Sequence, residues 1–215
     1  MVLLALGGVY MCFDKEAAQW DTNYRINRAK KIAEEISSYL DGNNISRAME
    51  FGCGTGLISF NLQDEFEEIL LIDLSKGMIE ETKKKIKNQN IKNMKTLVKD
   101  VLDIEGENKY DVIYTSMVLH HILNLKDVLY KLSKLLKPNG KLIIVELSKD
   151  DGTFHSLDED FNGYNGFEIK DLQDLLKDVG FTNIKGRTFY HSKKQINDKY
   201  HEYSLFSICS NKQEA

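Results

Sequence analysis

The sequence predicts an α/β protein in which helices cover both faces of a doubly wound, mostly parallel sheet. Short apolar runs of strand length alternate with longer segments of helical periodicity from residue 23 to residue 179. The first run leads into a cluster of glycines, and the chain ends in two β-rich stretches with no helix between them. Apolar strands that alternate with helices of this kind are typical of parallel sheets buried on both faces.

The first predicted helix spans Asn23 to Leu40, where apolar residues recur at three- and four-residue spacings between charged ones. Asp41-Gly42 is expected to end it. The first strand is the short run Ala48–Phe51, which passes into Gly52-Cys53-Gly54-Thr55-Gly56, here called the glycine loop. Helical character resumes from Leu57 to Leu62, so this part of the chain predicts a strand, a tight turn and a helix.

The same alternation continues downstream. Further strands are predicted over residues 69–73, 94–99, 110–114 and 141–147, the last introduced by the turn Pro138-Asn139-Gly140, with helices over residues 76–88, 125–137 and 168–179.

The end of the chain departs from this alternation. Residues 181–190 and 200–210 are both β-rich and are joined by the polar segment 191–199, which predicts a hairpin at the sheet edge with one antiparallel strand. The long irregular segment 148–166 separates a strand from a helix. Its length makes it a candidate functional loop, inserted on the substrate side of the domain.

The composition excludes several classes of protein. With 215 residues, of which 42% are hydrophobic and 29% charged, the chain fits one globular domain. We expect that domain to span residues 13–215, after an N-terminal extension over residues 1–12. The net charge of −4 provides no field that would attract a polyanion, so no nucleic acid partner is expected.

The N-terminal extension and the cysteines favour a cytoplasmic protein. Residues 1–10 are apolar, but they lack a basic region and are too short to span a bilayer, so we expect neither a signal peptide nor a membrane span. Cys12, Cys53 and Cys209 are odd in number and lack metal-ligand spacing. That pattern favours reduced thiols and no metal site. The sequence leaves the oligomeric state open.

The glycine loop predicts a ligand site, because its glycines allow a sharp turn and a close approach of a ligand to the backbone. Leu57 occupies the position at which the GxGxxG motif of dinucleotide-binding proteins has its third glycine. The glycine loop therefore differs by one residue from the motif of nicotinamide-dependent enzymes. Glu50 is placed to accept from an ammonium group, and Asp73, which ends the second strand, to accept both hydroxyls of a ribose. These residues predict a ligand with an ammonium group, a carboxylate and a ribose.

Four motifs in this order resemble those of the class I S-adenosylmethionine-dependent methyltransferases, in particular the small-molecule members. They are residues 50–56, 72–78, 99–101 and 136–142. The resemblance covers nearly the whole chain from about Phe13. It implies a three-layer αβα, Rossmann-like fold whose seven strands follow the order 3-2-1-4-5-7-6, with strand 7 antiparallel. It also implies S-adenosylmethionine as the cofactor and S-adenosylhomocysteine as the product.

The resemblance also implies cofactor contacts, position by position. The glycines of the loop would line the methionine moiety, Asp73 would bind the ribose, and Ser116 would offer its backbone to the amino acid part. Leu74 and Met78 would flank the adenine. Asp100 would accept from its exocyclic amine, and the Val101 N–H would donate to a ring nitrogen. The full predicted set is Glu50, Gly52, Cys53, Gly54, Gly56, Asp73, Leu74, Met78, Asp100, Val101 and Ser116.

Each of these residues has a simpler structural interpretation. Asp73 could be a helix N-terminal charge, and Asp100 could cap its own turn. Leu74 and Met78 could be ordinary core residues.

Methyl transfer in this family is an in-line displacement at the sulfonium carbon, so the protein needs no nucleophile of its own. A general base is needed only if the acceptor keeps a proton, and the catalytic residue is left unassigned. The candidates for such a base are His120, His121 and His155. Because adjacent residues on a helix or turn point in different directions, His120 and His121 are expected to make a poor metal pair, and one of them to be structural. The alternative for His155 is a solvated loop histidine.

The predicted function is methyl transfer to a small-molecule acceptor, with oxygen, nitrogen, carbon and sulfur acceptors all open. Trp20 and Tyr24 resemble the segment that folds over the cofactor in small-molecule members, although Trp20 could equally be a core anchor. With Pro138 as its single proline, the chain lacks the Asn/Asp-Pro-Pro-aromatic motif of amino-group methyltransferases. The alternatives are a non-catalytic S-adenosylmethionine-binding regulator or partner subunit and a nicotinamide-dependent oxidoreductase.

Overall fold

A computed structural model describes residues 13–40, 45–158 and 161–214. The predicted N-terminal extension, Cys12 and the helix stop at Asp41-Gly42 lie outside these residues. The strands are β1 Ile45–Phe51, β2 Phe66–Asp73, β3 Met94–Val98, β4 Tyr110–Ser116, β5 Leu136–Leu147, β6 Phe181–Ile196 and β7 Lys199–Lys212. The α-helices named below are α1 Asn23–Ser37, α2 Leu57–Asn61, α3 Lys76–Asn88, α4 Leu125–Leu135 and α5 Ile169–Asp178.

The seven strands form one sheet in the order β3-β2-β1-β4-β5-β7-β6. The pairs from β3 to β5 are parallel, whereas β7 is antiparallel to both β5 and β6. The predicted fold class, strand order and reversed seventh strand are therefore confirmed.

The parallel register brings the ends of three strands together. Phe51 of β1 lies opposite Ile72 of β2 and Thr115 of β4, so these strands end at one edge of the sheet. The residues that follow, including Gly52 and Asp73, meet there. In open α/β sheets ligands bind outside the carboxyl ends of the strands, where the strand order reverses.

Apolar clusters fill both faces of the sheet. On one face, α1 contributes Ile32 and Ile36 to a buried cluster with residues of β1, β2 and β4. On the other, Leu129 and Leu132 of α4 pack with residues of α5 and the opposite side of the strands. Each fully buried side chain of this size contributes about 1.5–3 kcal/mol to the free energy of unfolding. Because helices cover both faces of the sheet, the side chains on both sides of the central strands are buried, which explains why the sequences of these strands are almost continuously apolar.

The β6–β7 hairpin is longer than the sequence predicts. The polar segment 191–199 was predicted to be a linker, but β6 continues to Ile196, which pairs with Lys199 across a turn where Asn197 has a φ of 53°. This part of the hairpin is a two-stranded ribbon. Its strands can therefore be polar in sequence, unlike the strands in the centre of the sheet, which are covered on both faces. Its cross-strand pairs are polar, as with Lys193 and Glu202, whose charged groups lie 3.1 Å apart.

The turn at Pro138-Asn139-Gly140 also lies inside a strand, whereas the sequence predicted a strand beginning at residue 141. Leu136 already pairs with Tyr110 of β4, and the register shifts before the next pairs. Asn139 has a φ of 62°, so the turn is accommodated as an irregularity in β5. Within the described ranges, no helix is both long and apolar enough to cross a membrane.

Candidate active site

A cavity of about 260 Å³ opens at the carboxyl edge of β1, β2 and β4, beneath the N-terminal residues that include Phe13. Its wall contains most of the residues predicted to bind a cofactor. Those on the wall are Glu50, Gly52, Cys53, Gly54, Asp73, Leu74, Met78, Asp100 and Ser116, together with Trp20 and His121 from the other predicted sets.

The three glycines of the glycine loop have different roles. All three have positive φ, and a Cβ on Gly52 would lie 2.3 Å from Val118 Cγ2. A Cβ on Gly54 would meet nothing closer than Trp20 Nε1 at 3.9 Å, so this residue faces open space in the cavity. Gly56 does not line the cavity, contrary to the prediction. A Cβ there would lie 2.9 Å from the Phe60 ring, so Gly56 is needed for packing.

Asp73 lies on the cavity wall and holds the glycine loop. Its Oδ2 accepts from the Gly54 N–H at 2.7 Å and its Oδ1 from the Ser75 N–H at 2.8 Å. Burial raises the pKa of the Asp73 carboxyl, and these backbone donors partly oppose that rise. The side chain of Ser75, rather than Asp73, caps α3 by accepting from the Met78 N–H. The helix-charge interpretation of Asp73 is therefore not needed to explain its position.

Glu50 lies under the loop and is 2% exposed. The Ser59 hydroxyl donates to Glu50 Oε2, and Tyr114 completes the group because its hydroxyl lies 2.5 Å from Ser59 Oγ. Burial raises the pKa of Glu50 to about 8. The carboxyl is therefore mostly protonated near neutral pH, and a cation placed beside it would lower its pKa again.

Three of the four residues predicted to contact the adenine lie on the cavity wall. They are Leu74, Met78 and Asp100, and Asp100 Oδ1 also accepts from the Leu102 N–H at 2.9 Å, as expected of a turn cap. Val101 does not line the cavity. Its side chain is 1% exposed and packs in the core.

Sequence reasoning missed several residues of the wall. Arg25, Arg28 and Lys99 bring positive charge to it. Met117 lines it immediately after β4 with a φ of 57°, which is uncommon for a residue with a side chain. Lys99 begins the motif 99–101 but was not predicted to face the cavity. Arg25, Arg28 and Met117 lie outside the four motifs and reach the cavity through the tertiary fold.

Residues 13–22, here called the N-terminal segment, line one side of the cavity through Phe13 and Trp20. The guanidinium of Arg25 lies over the Trp20 ring, 3.7 Å from the centroid. Asp21 ties this segment to the glycine loop, since its carboxylate accepts from Thr55 Oγ1 at 2.5 Å. Tyr24, the second predicted lid residue, is outside the wall and is hydrogen-bonded to the hydroxyl of Tyr203.

The three candidate histidines form one cluster. The centroids of the His120 and His121 rings are 4.2 Å apart, and the His155 ring lies 5.0 Å from the first and 5.5 Å from the second. His120 and His121 were expected to point in different directions, but their rings lie side by side at the end of the 3-10 turn Leu119–His121, and the ring nitrogens of all three histidines come within 4.8 Å of one another. His155 is 8% exposed, so it is not a solvated loop residue.

The histidines differ in their surroundings. Only His121 lines the cavity, and burial lowers its pKa to about 2, with smaller effects from the other two rings. Burial also lowers the pKa of His155, whose Nδ1 lies 2.7 Å from Asp158 Oδ2. His120 Nδ1 lies 2.7 Å from Glu146 Oε2. All three imidazoles therefore sit in a largely desolvated cluster beside the cavity.

Known proteins share this sequence pattern and fold. Residues 49–142 match the family model described as a methyltransferase domain. An uncharacterized methyltransferase of Schizosaccharomyces pombe is 35% identical over 152 residues, covering 64% of this chain and 54% of that protein. Malonyl-(acyl-carrier protein) O-methyltransferase 2 of Ilyobacter polytropus is 27% identical over 198 residues, covering 88% of this chain and 73% of that protein. The chain thus spans about half of the first relative and about three quarters of the second.

A solved structure shows the same architecture. Phosphoethanolamine N-methyltransferase 2 of Haemonchus contortus, in complex with S-adenosyl-L-methionine, superposes with a TM-score of 0.70 at 13% identity over 85% of this chain and 52% of that one. The sheet order and the glycine loop agree with these matches. The chain is similar to the class I S-adenosylmethionine-dependent methyltransferases in its sequence motifs and in its fold.

Proposed function

We propose that the chain binds S-adenosylmethionine in this cavity and transfers the methyl group to a small-molecule acceptor, releasing S-adenosylhomocysteine. The observation that carries the proposal is the pairing of Gly54 with Asp73. A glycine that faces open space lies beside a partly buried carboxylate whose oxygens are already oriented by two backbone N–H groups. A carboxylate held at the end of β2 in this way suits the hydroxyls of a ribose.

Two other groups on the wall suit the remaining parts of the cofactor. The hydroxyl oxygen of Ser116 is buried without a hydrogen-bond partner among the described residues. An unsatisfied buried polar atom costs about 1–3 kcal/mol, so a ligand that bonds to it gains that amount. Glu50 offers a carboxyl that would ionise beside the cofactor ammonium, and Leu74 and Met78 give apolar surface for the adenine.

The protein contributes alignment and exclusion of water. The acceptor lone pair forms a bond to the methyl carbon while the carbon–sulfur bond breaks and its electron pair returns to sulfur. The sulfonium becomes a neutral thioether, so no protein group needs to take part covalently. Phe13, Trp20 and the segment that carries them cover the cavity and keep solvent from the reacting centre.

The charges of the wall favour an acceptor with an anionic group. Arg25 and Arg28 of α1 both line the cavity, on the side of the N-terminal segment. Guanidinium groups bind carboxylates and phosphates through paired hydrogen bonds. The O-methyltransferase of Ilyobacter polytropus is named for a malonyl acceptor, which agrees with this chemistry.

Calorimetric titration tests the cofactor. Wild-type protein is titrated with S-adenosylmethionine, S-adenosylhomocysteine and NAD, as are Asp73→Asn and the control Asp178→Asn, which changes an exposed carboxylate of α5. We expect the first two ligands to bind wild type and the control, and to bind Asp73→Asn at least 10-fold more weakly. Binding of NAD alone would instead support a nicotinamide enzyme.

Turnover separates an enzyme from a non-catalytic binder. S-adenosylmethionine labelled in its methyl group is incubated with the protein and a panel of small carboxylic acids and phosphates. Label in an acceptor, dependent on Asp73, supports the proposal. Cofactor binding without transfer to any acceptor, including amines, thiols and phenols, would favour a regulator or partner subunit.

A further inference from the structure

We propose that His120, His121 and His155 bind one divalent transition metal ion of the zinc type beside the cavity. One ring nitrogen of each lies within 4.8 Å of those of the other two. A point between the three nitrogens is then no more than about 2.8 Å from each, against ~2.0–2.1 Å for a zinc–imidazole bond. Side-chain shifts of less than about 1 Å would close the site.

Two buried ring nitrogens in the cluster have no partner. His121 Nδ1 and His155 Nε2 form no hydrogen bond with any described residue. A buried polar atom without a partner costs about 1–3 kcal/mol, and two of them adjacent to each other are unusual in a folded protein. A metal ion between the rings satisfies both nitrogens at once.

Carboxylates orient two of the three rings. His120 Nδ1 lies 2.7 Å from Glu146 Oε2, and His155 Nδ1 lies 2.7 Å from Asp158 Oδ2. A carboxylate that accepts from Nδ1–H fixes the tautomer with its lone pair on Nε2, which is the arrangement found behind metal-bound histidines. The two carboxylates also provide negative charge for a divalent cation, although the ammonium of Lys194 is close enough to act on His155.

The surroundings of the rings are aromatic. Phe161 stacks on His155 at 3.9 Å between centroids, and Phe13 meets His121 edge-on at 5.7 Å. Imidazole nitrogens in an apolar shell suit zinc, copper, iron or nickel, whereas magnesium and calcium require oxygen ligands. Three protein ligands also leave a coordination position for water or a substrate atom.

The position of His121 suggests what the ion does. This residue belongs both to the cluster and to the cavity wall, so the ion would lie next to the cavity. If the proposed function holds, an acceptor hydroxyl or carboxylic acid group bound to the ion would lose its proton more readily, and no histidine of the cluster would need to act as a base. Metal binding itself does not depend on methyl transfer.

Metal titration tests the site directly. Chelator-treated protein is titrated with Co²⁺, whose visible absorption reports a site with nitrogen ligands, and then with Zn²⁺ as competitor. We expect one Co²⁺ per chain, displacement by Zn²⁺ and no displacement by excess Mg²⁺. His121→Ala and His155→Ala should bind Co²⁺ at least 100-fold more weakly, whereas His191→Ala, which removes an exposed histidine, should bind as wild type does.

A second variant separates ligation from folding. Asp158→Asn keeps all three histidines and should weaken Co²⁺ binding about 10- to 100-fold, because it replaces the charged acceptor behind His155 with a neutral amide. Thermal unfolding of each variant shows whether the fold is intact. Absence of stoichiometric Co²⁺ binding by wild type, or unchanged binding by folded His121→Ala and His155→Ala, would overturn the site. S-adenosylmethionine binding measured on the same samples distinguishes that result from failure of the proposed function.

Discussion

Glu146, at the end of β5, holds His120 and the turn that carries it. The carboxylate is fully buried. Its Oε1 accepts from the N–H groups of Val118 and Leu119 at 2.8 and 2.7 Å, and its Oε2 lies 2.7 Å from His120 Nδ1 and accepts from the Leu147 N–H at 2.9 Å. One side chain therefore fixes the segment after β4 against the end of the neighbouring strand.

We expect Glu146→Gln to destabilise the fold by about 2–4 kcal/mol, because an amide nitrogen cannot accept from the donors that now share the carboxylate. Urea unfolding measures the loss. Glu67→Gln, which changes an exposed glutamate of β2, is the matched control and should leave the midpoint within experimental error. An equal midpoint for Glu146→Gln and wild type would show that the carboxylate is not needed to hold the turn.

Substitution by alanine should have different effects on stability at Gly52 and Gly54, the two glycines on the cavity wall. In Gly52→Ala the new methyl group would lie 2.3 Å from Val118 Cγ2, so we expect a loss of stability that Val118→Ala partly restores in the double variant. Gly54→Ala meets no atom within 3.8 Å but must keep a φ of 53°, which costs about 1 kcal/mol.

Gly54→Ala should therefore stay folded while S-adenosylmethionine binding falls at least 10-fold, because the methyl group projects into the cavity. Calorimetry and thermal unfolding on the three variants measure both effects. Full cofactor binding by folded Gly54→Ala would contradict the assignment of this residue to the ligand surface.

The sequence predicted the strands and helices of the sheet well, because their patterns are local. The strand order was implied by the resemblance of four motifs and is confirmed, and Gly54 and Asp73, which belong to those motifs, lie on the cavity wall. The histidine cluster was missed because it depends on the fold of the 148–166 loop. That loop returns over the turn at His120, where the Tyr164 N–H donates to the His120 carbonyl at 2.7 Å.

Long-range polar pairs were equally hidden from the sequence. Glu35 of α1 is 7% exposed and accepts from Arg187 Nε and Nη2 at 2.8 and 2.7 Å, although the two residues are far apart in the chain. The helical pattern of α1 did not predict that Glu35 is buried. Its burial depends on tertiary contacts with β6 and β7, from which Arg187 and the Ser207 hydroxyl donate to its carboxylate.

The raised pKa of Glu50 predicts a dependence of stability on pH. Its pKa is about 8 in the fold against 4.5 for the ordinary group, so between these values the folded state holds a proton that the unfolded state has lost. Its contribution is fully present below about pH 4.5 and is lost as the pH rises to about 8. The total is on the order of 5 kcal/mol.

Glu50→Gln tests this dependence, since an amide resembles the protonated carboxyl and does not titrate. We expect the free energy of unfolding of wild type to fall from pH 5 to pH 8 relative to that of Glu50→Gln, as measured by urea unfolding at each pH. Parallel pH profiles for the two proteins would show that Glu50 titrates normally in the fold.

Hydrogen bonds to Asp21 attach the N-terminal segment to the rest of the domain. We expect these bonds to slow the release of the cofactor. The Asp21 carboxylate accepts from Thr55 Oγ1 at 2.5 Å and from Lys85 Nζ at 2.7 Å, which joins the segment to the glycine loop and to α3. Both groups of the ion pair are partly shielded from solvent, at 32% and 24% exposure. Two such hydrogen bonds together contribute about 1–2 kcal/mol.

Asp21→Ala should therefore release S-adenosylhomocysteine about 10-fold faster than wild type while the midpoint of unfolding changes little. Trp20 is the single tryptophan of the chain and lines the cavity, so its fluorescence in stopped-flow experiments reports the release rate. Lys85→Met should show part of the effect. Lys84→Met, which removes a neighbouring lysine paired with Glu81, should show none. Equal release rates for Asp21→Ala and wild type would mean that the segment does not retain the ligand, and that other wall residues limit its release.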